Sequence, residues 1–247
     1  MEIVGLMGSM PEEIQGFISL FENYEIEQIG GRVFYVGKIN GIKTIVVFSR
    51  WGKVAAATTV TTLINHFNIT NLIFTGVAGA INENLNIGDV VIGHRFYQHD
   101  MDARPLMSRF EIPLLGVSFF ESDGGMREKA VSIFNTQSLI SKISNDRSID
   151  RFDIKAPNIF VADIASGDKF FSDSNDKKNL SLALPDVVCV EMEGAAVGQV
   201  CYEHNIPFLI IRVISDKADG LAENDFSLFV KNVSEKYYLD FIKAFIA

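Results

Sequence analysis

The chain has 247 residues, 48% of them hydrophobic, a formal net charge of −9 and a pI near 5.0. That length suits one large α/β domain better than two small ones and allows a substantial core. The acidic balance argues against a non-specific nucleic-acid surface or an anionic-membrane surface, which need clustered Lys and Arg.

The first residues, Met1-Glu2-Ile3, open on an acid and a short apolar run. They lack the basic start and longer apolar core of a signal peptide. No apolar stretch reaches the roughly 18–20 residues of a membrane span. A soluble, cytoplasmic protein is expected. Cys189 and Cys201 are the only cysteines and both lie in apolar surroundings, so they are expected to be reduced core residues.

In chain order, apolar runs and helical periods alternate. Residues 3–7 read as a first strand and 12–21 as a helix. Strands at 33–38 and 44–48 flank Asn40-Gly41, a hairpin signal. A helix rich in Ala and Thr is expected over 53–67. A buried strand over 71–75 closes on Gly76-Val77-Ala78-Gly79, and another strand covers 89–96. Residues 99–116 form a long irregular segment of the kind that is usually functional or interfacial. Helices follow at 126–134 and 139–144, with 135–153 a polar surface excursion. A strand over 158–165 ends in Ser166-Gly167-Asp168, and a strand over 187–190 runs into Glu191-Met192-Glu193 and an apolar helix. A strand over 208–214 ends in Ser215-Asp216, and a terminal helix spans 227–245. Interleaving to the end makes the class α/β. Short, almost wholly apolar strands suit a sheet covered on both faces. The expectation is a single-domain three-layer α/β/α sandwich over residues 1–247, with a central mixed, mostly parallel sheet.

Two strands thus deliver acids to their C-terminal ends, where a parallel α/β sheet binds ligands. Glu193 at a helix start suits the helix dipole; it could equally accept two sugar hydroxyls. Asp216 could close a turn or act as a general acid. The latter needs its pKa, about 3.9 when unperturbed, raised by about three units. Gly8-Ser9-Met10-Pro11-Glu12-Glu13 reads as a helix start, or as a loop sending Glu12 or Glu13 into the site. Thr75 to Ala80 lacks a full dinucleotide fingerprint, but its small residues would let a flat ligand approach the backbone. Of Phe170 and Phe171, one is expected in the core and the other against an aromatic base. His66, His94, His99 and His204 show no ligand spacing and no Cys pair has zinc spacing, so no metal is expected. His99-Asp100 is the one His with a plausible site role. No Ser nucleophile elbow is present.

In this order GSMPEE, RWGKVAAA, FTGVAGA, ASGDKFF, VEMEGAA and RVISDKAD resemble the 5′-methylthioadenosine/S-adenosylhomocysteine nucleosidases of the purine nucleoside phosphorylase/uridine phosphorylase fold. The resemblance covers nearly the whole chain; VEMEGAA with the strand-terminal ISD carries its specificity. It implies that Glu13 holds the attacking water and that Asp216, beside Ser215, protonates purine N7. It implies that Met192 and Glu193 hold the ribose, Phe170 stacks on adenine and the Phe171 backbone reads the base edge. Val77 and Ala78 would form the floor and Phe226 would close over the 5′-substituent. The implied reaction is hydrolysis of the N-glycosidic bond of adenine nucleosides, without cofactor or metal. Relatives are homodimers in which a neighbour's loop helps enclose the substrate, a part residues 101–113 would play here.

Where related phosphorylases place phosphate-binding Arg residues, this chain has Pro11-Glu12-Glu13 and Phe74, so water is the implied nucleophile. Arg50 is a basic group beside the expected site and would be the ligand if an anion did bind. Trp51 departs from the family pattern near the pocket and bears on which 5′-substituent fits. A nucleoside phosphorylase and a non-catalytic binding protein of the same fold are the competing readings.

Overall fold

A computed structural model describes residues 2–136, 157–232 and 234–247. Strand β1 (Ile3–Gly8) leads into α1 (Pro11–Ile18), and β2 (Tyr24–Ile29), β3 (Arg32–Ile39) and β4 (Ile42–Phe48) form a meander. Next come α2 (Lys53–Phe67), β5 (Asn71–Ala80), β6 (Val90–Gln98), the short β7 (Phe120–Glu121) and α3 (Gly124–Phe134). The rest comprises β8 (Ile159–Ser166), α4 (Ser174–Ala183), β9 (Val187–Glu191), α5 (Gly194–His204), β10 (Phe208–Asp216), α6 (Ala222–Asn232) and α7 (Ser234–Phe245).

The described strands all join one 10-stranded sheet. Its parallel pairings are β1–β4, β1–β5, β5–β10, β6–β8 and β8–β9. Its antiparallel pairings are β2–β3, β3–β4, β5–β9, β6–β7 and β6–β10. The mixture is therefore even, where a mostly parallel sheet was expected. One run of neighbours is β10-β6-β8-β9-β5, and β10 also pairs with β5, so these strands close into a ring. The long β5 makes this possible. Its first part lies between β1 and β10, while Gly79 and Ala80 at its end pair with Val190 and Cys189 of β9. Helices lie on both faces, and alternate residues of each strand point to opposite sides. Ile73, Leu209 and Ile211 pack with Phe17, Phe229 and Phe241 on one face. Leu72, Phe74 and Ile210 pack with Val60, Leu63 and Val197 on the other.

Several elements differ from the sequence reading. The Gly motif after residue 75 continues β5 as strand instead of ending it. Gly76 and Gly79 are required there for space. A Cβ on Gly76 would lie 2.2 Å from Ser9 Oγ and 2.8 Å from an Arg212 nitrogen, and one on Gly79 would lie 2.8 Å from Asp216 Oδ1. β2 escaped notice because it is an edge strand with exposed residues on both sides, held by its pairing with β3 and not by burial. β7 is too short to leave a periodic signal, and α4 is polar, with Leu180 its one buried residue. Where one terminal helix over 227–245 was expected, the described residues form α6 and α7. The expected hairpin at Asn40-Gly41 forms, with both residues at positive φ (50° and 82°). The helix expected over 139–144 and most of the excursion over 135–153 lie outside the described residues. Among the described residues no helix is long and apolar enough to cross a membrane.

Candidate active site

The C-terminal ends of β1, β5, β8, β9 and β10 converge on a cavity of about 280 Å³. Val77, Ala78, Phe170, Phe171, Met192, Glu193, Ser215, Asp216 and Phe226 all line it. Register explains much of this. Parallel pairing sets Val213, Ile214 and Asp216 of β10 against Val77, Ala78 and Gly79 of β5, with a bulge between Ile214 and Asp216 that re-aims the chain. Asp216 is buried; its Oδ2 accepts from Ser215 Oγ at 2.8 Å and its Oδ1 from the Ala218 N–H at 2.8 Å.

Phe170 is 42% exposed and Phe171 is buried, which divides the two aromatics between a free face and the core. Phe170 meets Phe226 edge-on at 5.7 Å between centroids. Phe171 is backed by the ring of His99 at 5.2 Å. His99 does not line this cavity; it packs over Gly167, where a Cβ would lie 2.3 Å from its Nε2, and burial lowers its pKa.

Glu13 sits apart from the other expected residues. It is fully buried and does not line the cavity, but its carboxyl meets the backbone of Ser9 and Met10, which do. Its position follows from helix periodicity: Glu13 and Phe17 share the buried stripe of α1, while Glu12 faces solvent. Thr75 Oγ1 donates to Glu13 Oε2 at 3.3 Å, and Oε1 has no hydrogen-bond partner. Burial pushes the Glu13 carboxyl up to about 8, against the opposing pull of Arg212 and of the Thr75 hydrogen bond.

Sequence reasoning missed the buried polar centre that Arg212 forms with Glu191, an acid in the cavity lining. Arg212 and Glu191 form a buried ion pair at 2.6 Å, with a second contact from Arg212 Nε at 3.2 Å. Arg212 also lies over the Phe74 ring at 4.2 Å. Glu191 accepts the Gly194 N–H at 2.8 Å and the Ser166 hydroxyl, so it anchors the start of α5. Glu193 accepts the Gly52 N–H at 2.9 Å and stands 4.0 Å from Arg212. Burial first, and then the Glu191 charge, push the Glu193 pKa up. The one available signal was Arg212 itself, a charge inside an otherwise apolar strand, which requires a buried partner.

Two further residues resolve differently. Asp168 accepts the Lys53 N–H at 2.7 Å, holding the start of α2, and does not line the cavity. Arg50 is exposed and donates to the Gly31 carbonyl, so it stands outside the cavity as well. Trp51 does line it.

The phosphorylase superfamily model matches residues 3–247. The chain belongs to the phosphorylase superfamily. It is 31% identical over 233 residues to the 5′-methylthioadenosine/S-adenosylhomocysteine nucleosidase of Staphylococcus aureus (strain JH9), with 94% of each chain covered. Among solved structures, the nucleosidase of that name from S. pneumoniae with the transition-state inhibitor MT-ImmA is similar at a TM-score of 0.85 and 29% identity, covering 99% of this chain and 98% of that one. The futalosine hydrolase of Helicobacter pylori strain 26695 is similar at a TM-score of 0.86 and 29% identity, covering 99% and 97%. Within the superfamily the chain is a nucleosidase, an enzyme of the hydrolase class.

Proposed function

We propose that the enzyme hydrolyses the N-glycosidic bond of adenine nucleosides bearing a 5′-substituent, such as 5′-methylthioadenosine and S-adenosylhomocysteine, with 5′-deoxyadenosine a further candidate. The products are adenine and the 5-substituted ribose. One observation carries this reading: Asp216, Glu193 and Phe170 line a single cavity, and the buried Glu13 carboxyl meets the backbone of Ser9 and Met10, which line it too. Phe170 stacks on adenine, the Phe171 backbone reads the base edge, and Val77 and Ala78 support it from below. Asp216, held by Ser215, gives a proton to N7, so the C1′–N9 bond breaks with its electrons leaving on a neutral purine. A positioned acid of this kind contributes about 10²–10⁴ in rate. Glu193 accepts the ribose 2′- and 3′-hydroxyls, Met192 packs on the sugar and Phe226 closes over the 5′-group. Water, aligned by Glu13, adds to C1′ and passes its proton to that carboxylate.

The unpartnered Glu13 Oε1 supports that last role, since a buried carboxyl oxygen needs a hydrogen-bond partner. Ionised Glu13 is required, and the cationic ribosyl centre beside it favours that form. Hydrolysis over phosphorolysis is supported by Phe74 and Glu13 at the places where phosphorylases carry Arg, and by Arg50 being turned away. No cofactor or metal enters this scheme. A homodimer with residues 101–113 near the neighbour's site is part of the proposal; Leu106, within that segment, is 86% exposed. A monomer by light scattering at micromolar concentration would remove the dimer.

The deciding experiment measures adenine release from 5′-methylthioadenosine in phosphate-free buffer and again with phosphate, with purine release from futalosine assayed in parallel. Rapid release without phosphate is expected. Release that requires phosphate would make the enzyme a phosphorylase, and release from futalosine alone would move the substrate to that nucleoside.

A further inference from the structure

Tyr238 lies on α7, at the opposite end of the chain from Glu13 on α1, and its side chain is fully buried. The two helices pack on the same face of the sheet, with Phe17 of α1 and Phe241 of α7 in one apolar cluster that includes Tyr238. A buried phenol needs a partner for its hydroxyl. Tyr238 finds it at the seam between β5 and β10, where Gly76 stands opposite Arg212. Its hydroxyl donates to the Gly76 carbonyl and accepts the Gly76 N–H at 3.4 Å, and the Ile211 carbonyl lies 3.4 Å away. One oxygen from a distant helix therefore touches both strands. Burial, and then the Glu13 charge, push the Tyr238 pKa well above the ordinary phenol range, so the hydroxyl keeps the proton that it donates.

Gly76 is a point that needs holding, because glycine has the freest backbone of any residue. Its surroundings leave no room for a side chain: a Cβ there would lie 2.8 Å from Arg212 Nη1 and 2.9 Å from Ser9 Cβ. On either side of it, Thr75 Oγ1 donates to Glu13 Oε2 at 3.3 Å and Val77 lines the cavity. The Ser9 N–H donates to the Thr75 carbonyl at 3.1 Å, and Arg212 lies over the Phe74 ring at 4.2 Å. A shift of Gly76 therefore moves the Thr75 hydroxyl, the Arg212 guanidinium and Ser9 together. These groups set the state of the Glu13 carboxyl, since Arg212 and the Thr75 hydrogen bond both favour its ionised form. Asp216 stands farther along the seam, beyond the bulge after Ile214, and is held by Ser215 and Ala218.

On the nucleosidase reading above, we infer that Tyr238 is a positioning residue for the nucleophile half of the reaction: its hydroxyl fixes Gly76, and through Gly76 the Thr75 and Arg212 groups that hold Glu13 ready for the attacking water.

The test is Tyr238→Phe, which removes one oxygen and leaves the ring in the core, with circular dichroism and urea unfolding as folding controls. Adenine release from 5′-methylthioadenosine is measured with this change in the wild type and in two further backgrounds, Glu13→Gln and Asp216→Asn. In the wild type it is expected to lower kcat about five- to tenfold, the net effect of one hydrogen bond, with KM unchanged to within about twofold. In the Asp216→Asn background the same loss should recur, because that acid serves the leaving group. In the Glu13→Gln background the loss should shrink to less than about twofold, because the group that Tyr238 positions is already gone. The acid limb of the kcat–pH profile should also move to higher pH in Tyr238→Phe, since Glu13 loses support for its ionised form from Arg212 and Thr75. A core that is merely loosened would weaken every background alike and leave that limb in place. Wild-type kcat in a folded Tyr238→Phe protein, equal losses in the two backgrounds, or an unmoved acid limb overturns the inference while the nucleosidase reading stands. If the wild type cleaves no adenine nucleoside, the nucleosidase reading fails and the inference falls with it.

Discussion

Glu191 Oε2 lies 2.6 Å from Arg212 Nη2, and both side chains are buried, Glu191 within the lining of the cavity. β9 supplies the acid and β10 the base. Glu191 further accepts the backbone N–H groups of Glu193 at 3.2 Å and Gly194 at 2.8 Å, so the pair fixes the turn that presents Glu193. Removing one member of a buried ion pair leaves the other charge uncompensated, at about 3–5 kcal/mol.

Glu191→Gln is therefore expected to lower unfolding stability by roughly that amount in urea titrations. It should also reduce kcat/KM, because Glu193 loses its support. Arg212→Met in the Glu191→Gln background should restore part of the stability. An additive double mutant would show that the two residues do not act as a pair.

Asp216→Asn should fold normally, since Asn is isosteric with Asp and Oδ1 can still accept the Ala218 N–H. It should lower kcat by about 10²-fold or more, as loss of a general acid does. Steady-state adenine release, with circular dichroism as the folding control, checks this. Near-full activity would remove Asp216 as the acid.

Glu13 gives the protein a pH-dependent stability. Its folded pKa is raised, from 4.5 to about 8, so the native state holds a proton that the unfolded state has released. That contribution is complete below about pH 4.5 and is lost as pH rises through about 8, with a slope that approaches 1.4 kcal/mol per pH unit between. Glu13→Gln should flatten this decline in urea unfolding measured from pH 5 to 8. An unchanged slope would mean that Glu13 is ionised in the native state. Glu13→Gln should also slow adenine release, because Gln cannot take the water's proton.

Cys189 and Cys201 are buried reduced thiols, and burial pushes both far above the usual thiol range. A thiol reagent is expected to titrate neither in the native protein and both after unfolding in urea. Rapid native labelling would show that β9 or α5 opens readily.

The sequence by itself determined the alternation of strands and helices, the acids at the ends of β9 and β10, and that one of Phe170 and Phe171 is core; the structure decided which. These depend on local periodicity and on where apolar runs stop, which neighbouring residues decide. The tertiary structure decided the rest. β10 pairs with β5 far away in the chain, and that pairing closes the ring and sets Asp216 against Gly79. The Glu191–Arg212 pair needs two strands in register, which no single segment encodes. Arg50 and Trp51 are adjacent in sequence, yet one turns to Gly31 and the other to the cavity because of the positive φ angles around them. Glu13 was legible as an acid in a first turn. Its burial and raised pKa come from the packing of α1 onto the sheet, which takes away the water that would otherwise stabilise its charge.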